Sequence, residues 1–190
     1  MKQLIENLNI AYRFLYPRLT ILVSSGTLDE PNALTIAWST PLSADPPLIG
    51  VLITKKRYSH GLIKQKEEFV INIPNTGLIN ESYYIGRVSG HDEPQKVSQA
   101  GFTMEPSLRI NTPRIKECLI NLECELKRII PTGDHDLFIG EVVAIGIDPE
   151  IINDWSFDLK KYNPIYWRQS KYKEDTFNLE KILSGEKTND

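Results

Sequence analysis

Residues 118–147 constrain the fold of this chain most tightly. In CLINLECELKRII (118–130), Ile120, Leu122, Cys124 and Leu126 alternate with Asn121, Glu123, Glu125 and Lys127. A period of two is the signature of a strand with one dry and one wet face, and it cannot be met by a helix. The turn PTGDHD (131–136) follows, and then LFIGEVVAIGI (137–147), which is apolar at nearly every position. Two long strand-forming runs joined by a short polar turn read as an antiparallel hairpin. Such a hairpin needs further strands to cover its apolar side, so the chain is committed to a mainly β architecture.

The other segments supply those strands. LTILVSS (19–25) is β-branched and apolar and ends at Gly26 in the polar turn TLDEPN. NALTIAWST (32–40) reads as the next strand, with Leu34, Ile36 and Trp38 on one face and Thr35, Ala37 and Ser39 on the other. LIGVLIT (48–54), FVINIP (69–74) and PIYWRQ (164–169) also read as strands, the first apolar enough for burial on both faces. Helical spacing appears in KKRYSHGLIKQKEE, through Tyr58, Leu62 and Ile63, and in TGLINESYYIGRVSG (76–90), through Leu78, Ile79, Tyr83 and Ile85–Gly86. A short polar helix is expected around 93–100. Seven or more strands with two or three inserted helices predict a closed antiparallel barrel with helical excursions, because closure removes exposed edges. With 190 residues in all, one domain is expected over 1–170, followed by a polar tail at 171–190. Cys118 and Cys124 fit neither a CxxC nor a zinc pattern. They read as buried, inert thiols, with a separation that lets both face inward from one strand.

Charge and hydropathy narrow the partners. A formal net charge of -3 gives no electrostatic reason to expect nucleic acid. No apolar run approaches the ~20 residues of a membrane span, and MKQLIENLNIAYRF lacks an apolar signal core, so a cytoplasmic protein without a membrane partner is expected. The chain has no GxGxxG after a strand, no P-loop, no HExxH and no GxSxG. A Rossmann dinucleotide domain is therefore not expected. The DHD around His135 is little basis for a metal site.

Three segments carry polar chemistry. TKKRYSH (54–60) lies where a buried strand ends and a helix begins, a position that favours phosphate through free N–H groups and partial positive charge. Thr54 and Ser59 add hydroxyls, and Lys55, Lys56 and Arg57 add charge. The plainer reading is a solvated basic turn that caps a helix. GRVSGHDEPQK (86–96) sets Gly86 and Gly90 around Arg87, Ser89 and His91, a second place for an anion or simply a helix C-cap and polar loop. NALTIAWSTPLSADPP (32–47) places small hydroxyl residues and Trp38 at a strand end and stiffens the next loop with Pro46 and Pro47.

Taken in order, NALTIAWSTPLSADPPLIGV, RYSHGLI, EFVINIP, GRVSGHDEPQK, LEC and GDHDLFIGEV resemble the flavin reductase-like, FMN-binding split-barrel family, most of all its flavoredoxin-type branch. The resemblance covers roughly residues 10–168. It implies a split-barrel homodimer that binds FMN and exchanges electrons with NADH or NADPH, or with a protein redox partner. Free flavin, a ferric chelate or an electron-transfer protein would be the acceptor. By the same resemblance, Thr35, Ile36, Ala37, Trp38, Ser39 and Thr40 would run beside the isoalloxazine, with Asp45 and Pro46 in a loop closing over it. Thr54, Arg57, Tyr58 and Ser59 would form the phosphate turn, and Ser89, Gly90 and Lys96 a second phosphate-side loop. His135 would face the flavin or nicotinamide as the catalytic-side histidine, and Tyr166 would be a C-terminal aromatic near the cofactor. The alternative within this resemblance is an FMN carrier without reductase turnover.

Overall fold

A computed structural model describes residues 4–153, 156–157 and 161–167; the expected tail at 171–190 lies outside them. The strands in the first half are β1 (Arg18–Leu19), β2 (Ile21–Gly26), β3 (Pro31–Ile36), β4 (Ser39–Ser43), β5 (Leu48–Thr54) and β6 (Glu68–Ile73). Helices α1 (Tyr58–Lys66), α2 (Ile79–Arg87) and α3 (Lys96–Gln99) interrupt them. The second half contributes β7 (Met104–Glu105), β8 (Arg114–Ile115), β9 (Ile120–Pro131), β10 (His135–Ile147), β11 (Ile152–Asn153), β12 (Ser156–Phe157) and β13 (Tyr166–Trp167).

The main sheet has seven strands in the order β3-β2-β6-β9-β10-β5-β4. All its neighbours are antiparallel. The expected 118–147 hairpin is its centre, as β9 and β10. Gly140 on β10 lies under the Phe69 ring, where an added Cβ would come within 2.8 Å of Cε1. Register shifts at Ile139/Gly140 and Val142/Ala144 bend this long pair and tighten its curvature.

One expectation is corrected at 32–40. The stretch is not a single strand: β3 ends at Ile36, β4 begins at Ser39, and the two lie at opposite ends of the strand order. The chain crosses from one edge of the sheet to the other through Ala37 and Trp38, and Leu52 N–H donates to the Trp38 carbonyl at 2.9 Å. The sheet thus curls into a barrel with a seam at those two residues. Alternation breaks there because Ile36 pairs with Ile21 of β2 whereas Ser39 pairs with Val51 of β5.

The wet face expected for 118–130 is also only half wet. Glu125 and Lys127 are exposed, and Lys127 joins Glu125 at 2.9 Å and Glu141 at 3.0 Å. Asn121 and Glu123 are buried, because the segment carrying β7 and β8 covers them. Glu123 accepts from the Leu108 and Arg109 N–H groups at 2.6 and 2.8 Å. Asn121 donates to Asn72 Oδ1 at 2.9 Å, which also accepts from Ile115 N–H at 2.9 Å. These polar side chains are buried because they satisfy the backbone of the covering segment.

Apolar packing occurs in two layers. Val23, Val51, Phe69, Ile71, Cys124 and Phe138 fill the barrel. Leu22, Ala33, Ile85, Val97, Phe102, Ile115 and Cys118 join the outside of β2 and β3 to α2, α3 and the covering segment. The two cysteines are buried as expected, but not on one strand: Cys118 precedes β9 and sits in the outer layer. Burial pushes both thiols up, Cys124 to about 12, with Glu117 and Glu123 adding to the effect. A disulfide-exchange thiol reagent should therefore label neither cysteine in the native protein at mildly alkaline pH and both after denaturation; prompt labelling of the native protein would contradict this packing.

Candidate functional site

A cavity of about 450 Å³ opens at the seam. Thr35, Ile36, Ala37 and Trp38 form its floor, and Arg57, His135 and Tyr166 also line it. Its opposite wall is a helical stripe, Ile79, Ser82, Tyr83, Gly86 and Arg87, at the i, i+3, i+4, i+7 and i+8 positions of α2. Thr35 Oγ1 donates to the Ser82 carbonyl at 2.6 Å and ties floor to wall. Gly86 permits the close approach, since a Cβ there would lie 3.1 Å from that of Thr35.

One end of the stripe is cationic. Arg57 is the N-cap residue of α1, with extended backbone, and its Nη1 reaches the Gly86 carbonyl at 3.4 Å. Arg87 lies one residue on, its Nη1 donating to the Tyr83 hydroxyl at 2.8 Å with the guanidinium over that ring. Lys96 is buried behind them and donates to the Val88 carbonyl at 2.8 Å and the Ile85 carbonyl at 3.3 Å. Burial, with the Arg57 charge second, lowers its pKa to about 8.

The seam end is aromatic. The Trp38 and His135 rings lie 4.6 Å apart at 33°, and Tyr12 meets Trp38 edge-on at 5.3 Å. Trp38 Nε1–H donates to the Tyr16 hydroxyl at 3.0 Å. Asp134 lies 2.8 Å from His135 Nδ1, and that hydrogen bond holds its carboxyl below the usual range. An ionised carboxylate only accepts, so Nδ1 carries the proton and Nε2 is the ring's remaining site. Asp136 points the other way, as alternation along β10 requires, and its carboxylate meets His60 Nε2 at 2.9 Å in a partly buried pair. Thr20 and Ser82 line the cavity, but their hydroxyl oxygens are fully buried behind its surface, with no hydrogen-bond partner among the described residues.

The structure thus brings together seven residues expected from sequence: Thr35, Ile36, Ala37, Trp38, Arg57, His135 and Tyr166. Others lie beside the cavity or away from it. Thr54 closes β5 opposite His135. Tyr58, Ser59 and Gly90 form a knot behind Arg57, where Asn32 Nδ2 donates to Ser59 Oγ at 2.7 Å and Gly90 packs on Asn32 and Tyr58. Ser89 Oγ accepts from the His91 N–H at 3.2 Å. Ser39 and Thr40 lie past the seam on β4, and Asp45 and Pro46 lie in the exposed turn between β4 and β5. The Lys96 ammonium caps α2 rather than lining the cavity. Sequence reasoning missed Tyr16, Thr20 and, on the α2 wall, Ile79, Ser82 and Tyr83; Gly86 and Arg87 it had placed in the second anion-binding segment. The mixture of Ser82, Gly86 and Arg87 on one helical stripe was the available signal, since an ordinary core face would be apolar there. Among the described residues no group of three or more His, Cys, Asp or Glu is placed to hold a metal ion.

The chain is similar to several known proteins. A protein of Pyrococcus abyssi described as uncharacterized is 41% identical over 149 residues, covering 78% of this chain and 85% of its own. The NADH-dependent FAD reductase of Streptomyces globisporus is 26% identical over 128 residues, 66% of this chain and 67% of that one. Among solved structures, the flavoredoxin of Methanosarcina acetivorans superposes with a TM-score of 0.76 at 25% identity, covering 96% of this chain and 98% of that one. An FMN-binding protein of Thermus thermophilus with bound p-hydroxybenzaldehyde gives 0.74 at 25% identity, with 90% and 92% covered. Residues 12–174 match the model of the flavin reductase like domain, and the chain belongs to that family.

Proposed function

We propose that this protein is an FMN-binding oxidoreductase that takes electrons from NADH, NADPH or a protein donor and passes them to a flavin, a ferric chelate or a redox partner. The observation that carries the reading is the cavity itself, which joins two guanidinium groups to an aromatic end at the barrel seam. Its residues fit FMN. Arg57 and Arg87 match a phosphate, and Trp38 and Ile36 match a flat ring. Bound FMN supplies hydride and electron transfer. The chain's own part is to bind and orient. Arg57 and Arg87 hold the anionic end, the Thr35–Trp38 backbone presents hydrogen-bonding groups along the floor, and Asp134 fixes the His135 ring so that Nε2 serves a nicotinamide or the flavin. Exposed Leu8, Phe14 and Leu15 near the N-terminus support pairing with a second copy.

An anaerobic absorbance titration with FMN and then with NADH and NADPH tests the reading. Flavin uptake followed by bleaching with one nicotinamide is expected. Failure to take up flavin would remove the proposal. Uptake without bleaching by either nicotinamide, but with electron exchange with a ferredoxin-like protein, would make the chain an FMN carrier.

A further inference from the structure

Trp38 is held by two neighbours at the seam, and each of them has one polar atom to spare. The indole Nε1–H donates to the Tyr16 hydroxyl at 3.0 Å. An indole nitrogen only donates, so the Tyr16 oxygen is the acceptor in that bond and its own O–H proton is not used there. The hydroxyl makes no other hydrogen bond among the described residues. Beside the indole lies the His135 ring, with centroids 4.6 Å apart and a tilt of 33°. Its Nδ1–H goes to Asp134 at 2.8 Å, so in the neutral ring Nε2 is an acceptor. Nε2 has no partner among the described residues either, and it is not sealed off as the Thr20 and Ser82 hydroxyls are. Tyr16, Trp38 and His135 all line the cavity, and Tyr16 is only half-buried.

The aromatic end therefore offers one donor and one acceptor around a single flat platform. That set complements an amide edge, whose carbonyl accepts and whose neighbouring N–H donates. We propose that the Tyr16 hydroxyl and His135 Nε2 bind the amide edge of a flat heteroaromatic ligand, Tyr16 donating to its carbonyl and Nε2 accepting from its N–H. The assignment rests on the FMN reading above, which brings two such edges to the cavity: the pyrimidine end of the flavin and the carboxamide of a nicotinamide.

Tyr16→Phe and His135→Phe each remove the polar atoms and keep a flat ring. Wild type and variants are titrated with FMN and with riboflavin by flavin fluorescence, and the FMN-loaded proteins are bleached anaerobically over a range of NADH and NADPH concentrations. Both variants are expected to weaken the same ligand roughly three- to tenfold, the effect of one hydrogen bond. Equal losses for FMN and riboflavin assign the pair to the flavin edge. Unchanged flavin affinity with a raised half-saturating nicotinamide concentration assigns it to the carboxamide. No loss for either class of ligand would overturn the proposal, as would variants that weaken different ligands. Tyr16→Phe also frees the indole, so it is repeated in a Trp38→Phe background, where no indole N–H remains to be held. A further three- to tenfold loss is expected there, whereas no further loss would reduce Tyr16 to a support for Trp38 and refute its contact with the ligand. Wild-type protein that takes up no flavin would refute the FMN reading itself, before any variant is made.

Discussion

Replacing Arg57 and Arg87 together by alanine is expected to weaken FMN binding by roughly 10²- to 10⁴-fold, the effect of two lost charge-assisted contacts. Riboflavin, which lacks the phosphate, should bind the double variant nearly as well as wild type. Both side chains are exposed, and the Arg57 contact with the Gly86 carbonyl is long at 3.4 Å, so the fold should survive the change. Fluorescence titration at low and high ionic strength gives a second readout. Wild-type affinity for FMN should fall with salt, and the double variant should lose most of that dependence. Equal losses for FMN and riboflavin would show that the arginines shape the cavity instead of holding the phosphate.

The largest effect on stability is expected at Glu123. Its carboxylate is fully buried and accepts from two consecutive backbone N–H groups, Leu108 and Arg109. Glu123→Ala leaves both donors without a partner and should cost about 3 kcal/mol, since each buried unsatisfied group costs about 1–3 kcal/mol. Glutamine does not rescue the position, because one of its terminal atoms would set a donor against a donor. Urea unfolding of the flavin-free protein measures the loss. A cost below about 1 kcal/mol would mean that the covering segment is held by its apolar contacts with the outer layer and not by the Glu123 carboxylate.

Glu123 also shows where sequence reading succeeds and where it stops. The alternation in 118–130 located β9 and its partner β10, because period-two patterning reports local geometry. Nothing local revealed that 104–115 folds back over the polar face, since that packing joins residues distant in sequence. The same limit applies at 32–40. Leu34, Ile36 and Trp38 keep strand spacing through the seam, so the break appears only when Ile36 and Ser39 are seen to pair with different strands.

The site follows the same division. Trp38, Arg57 and His135 were legible because their segments carry family motifs, and all three line the cavity. Ser59 and Lys96 belong to the same motifs, yet their polar atoms are occupied by Asn32 and by the end of α2. A motif identifies a neighbourhood and leaves open which of its atoms face the ligand. On the α2 wall only Gly86 and Arg87 were legible, because Ile79 and Tyr83 resemble an ordinary amphipathic face until Ser82 is placed beside Thr35.

The seam gives occupancy a thermodynamic weight beyond recognition. Its floor is the covalent link between the two outermost strands of the sheet, and the cavity above it exists only while those edges are brought together. A ligand that touches β3, α2 and β10 at once binds the closed barrel and not the open sheet. Linkage then makes its concentration a term in the stability of the whole domain, about 2.7 kcal/mol at a hundredfold excess over Kd. A ligand at the seam would thereby stabilise the closed barrel as well as fill the site.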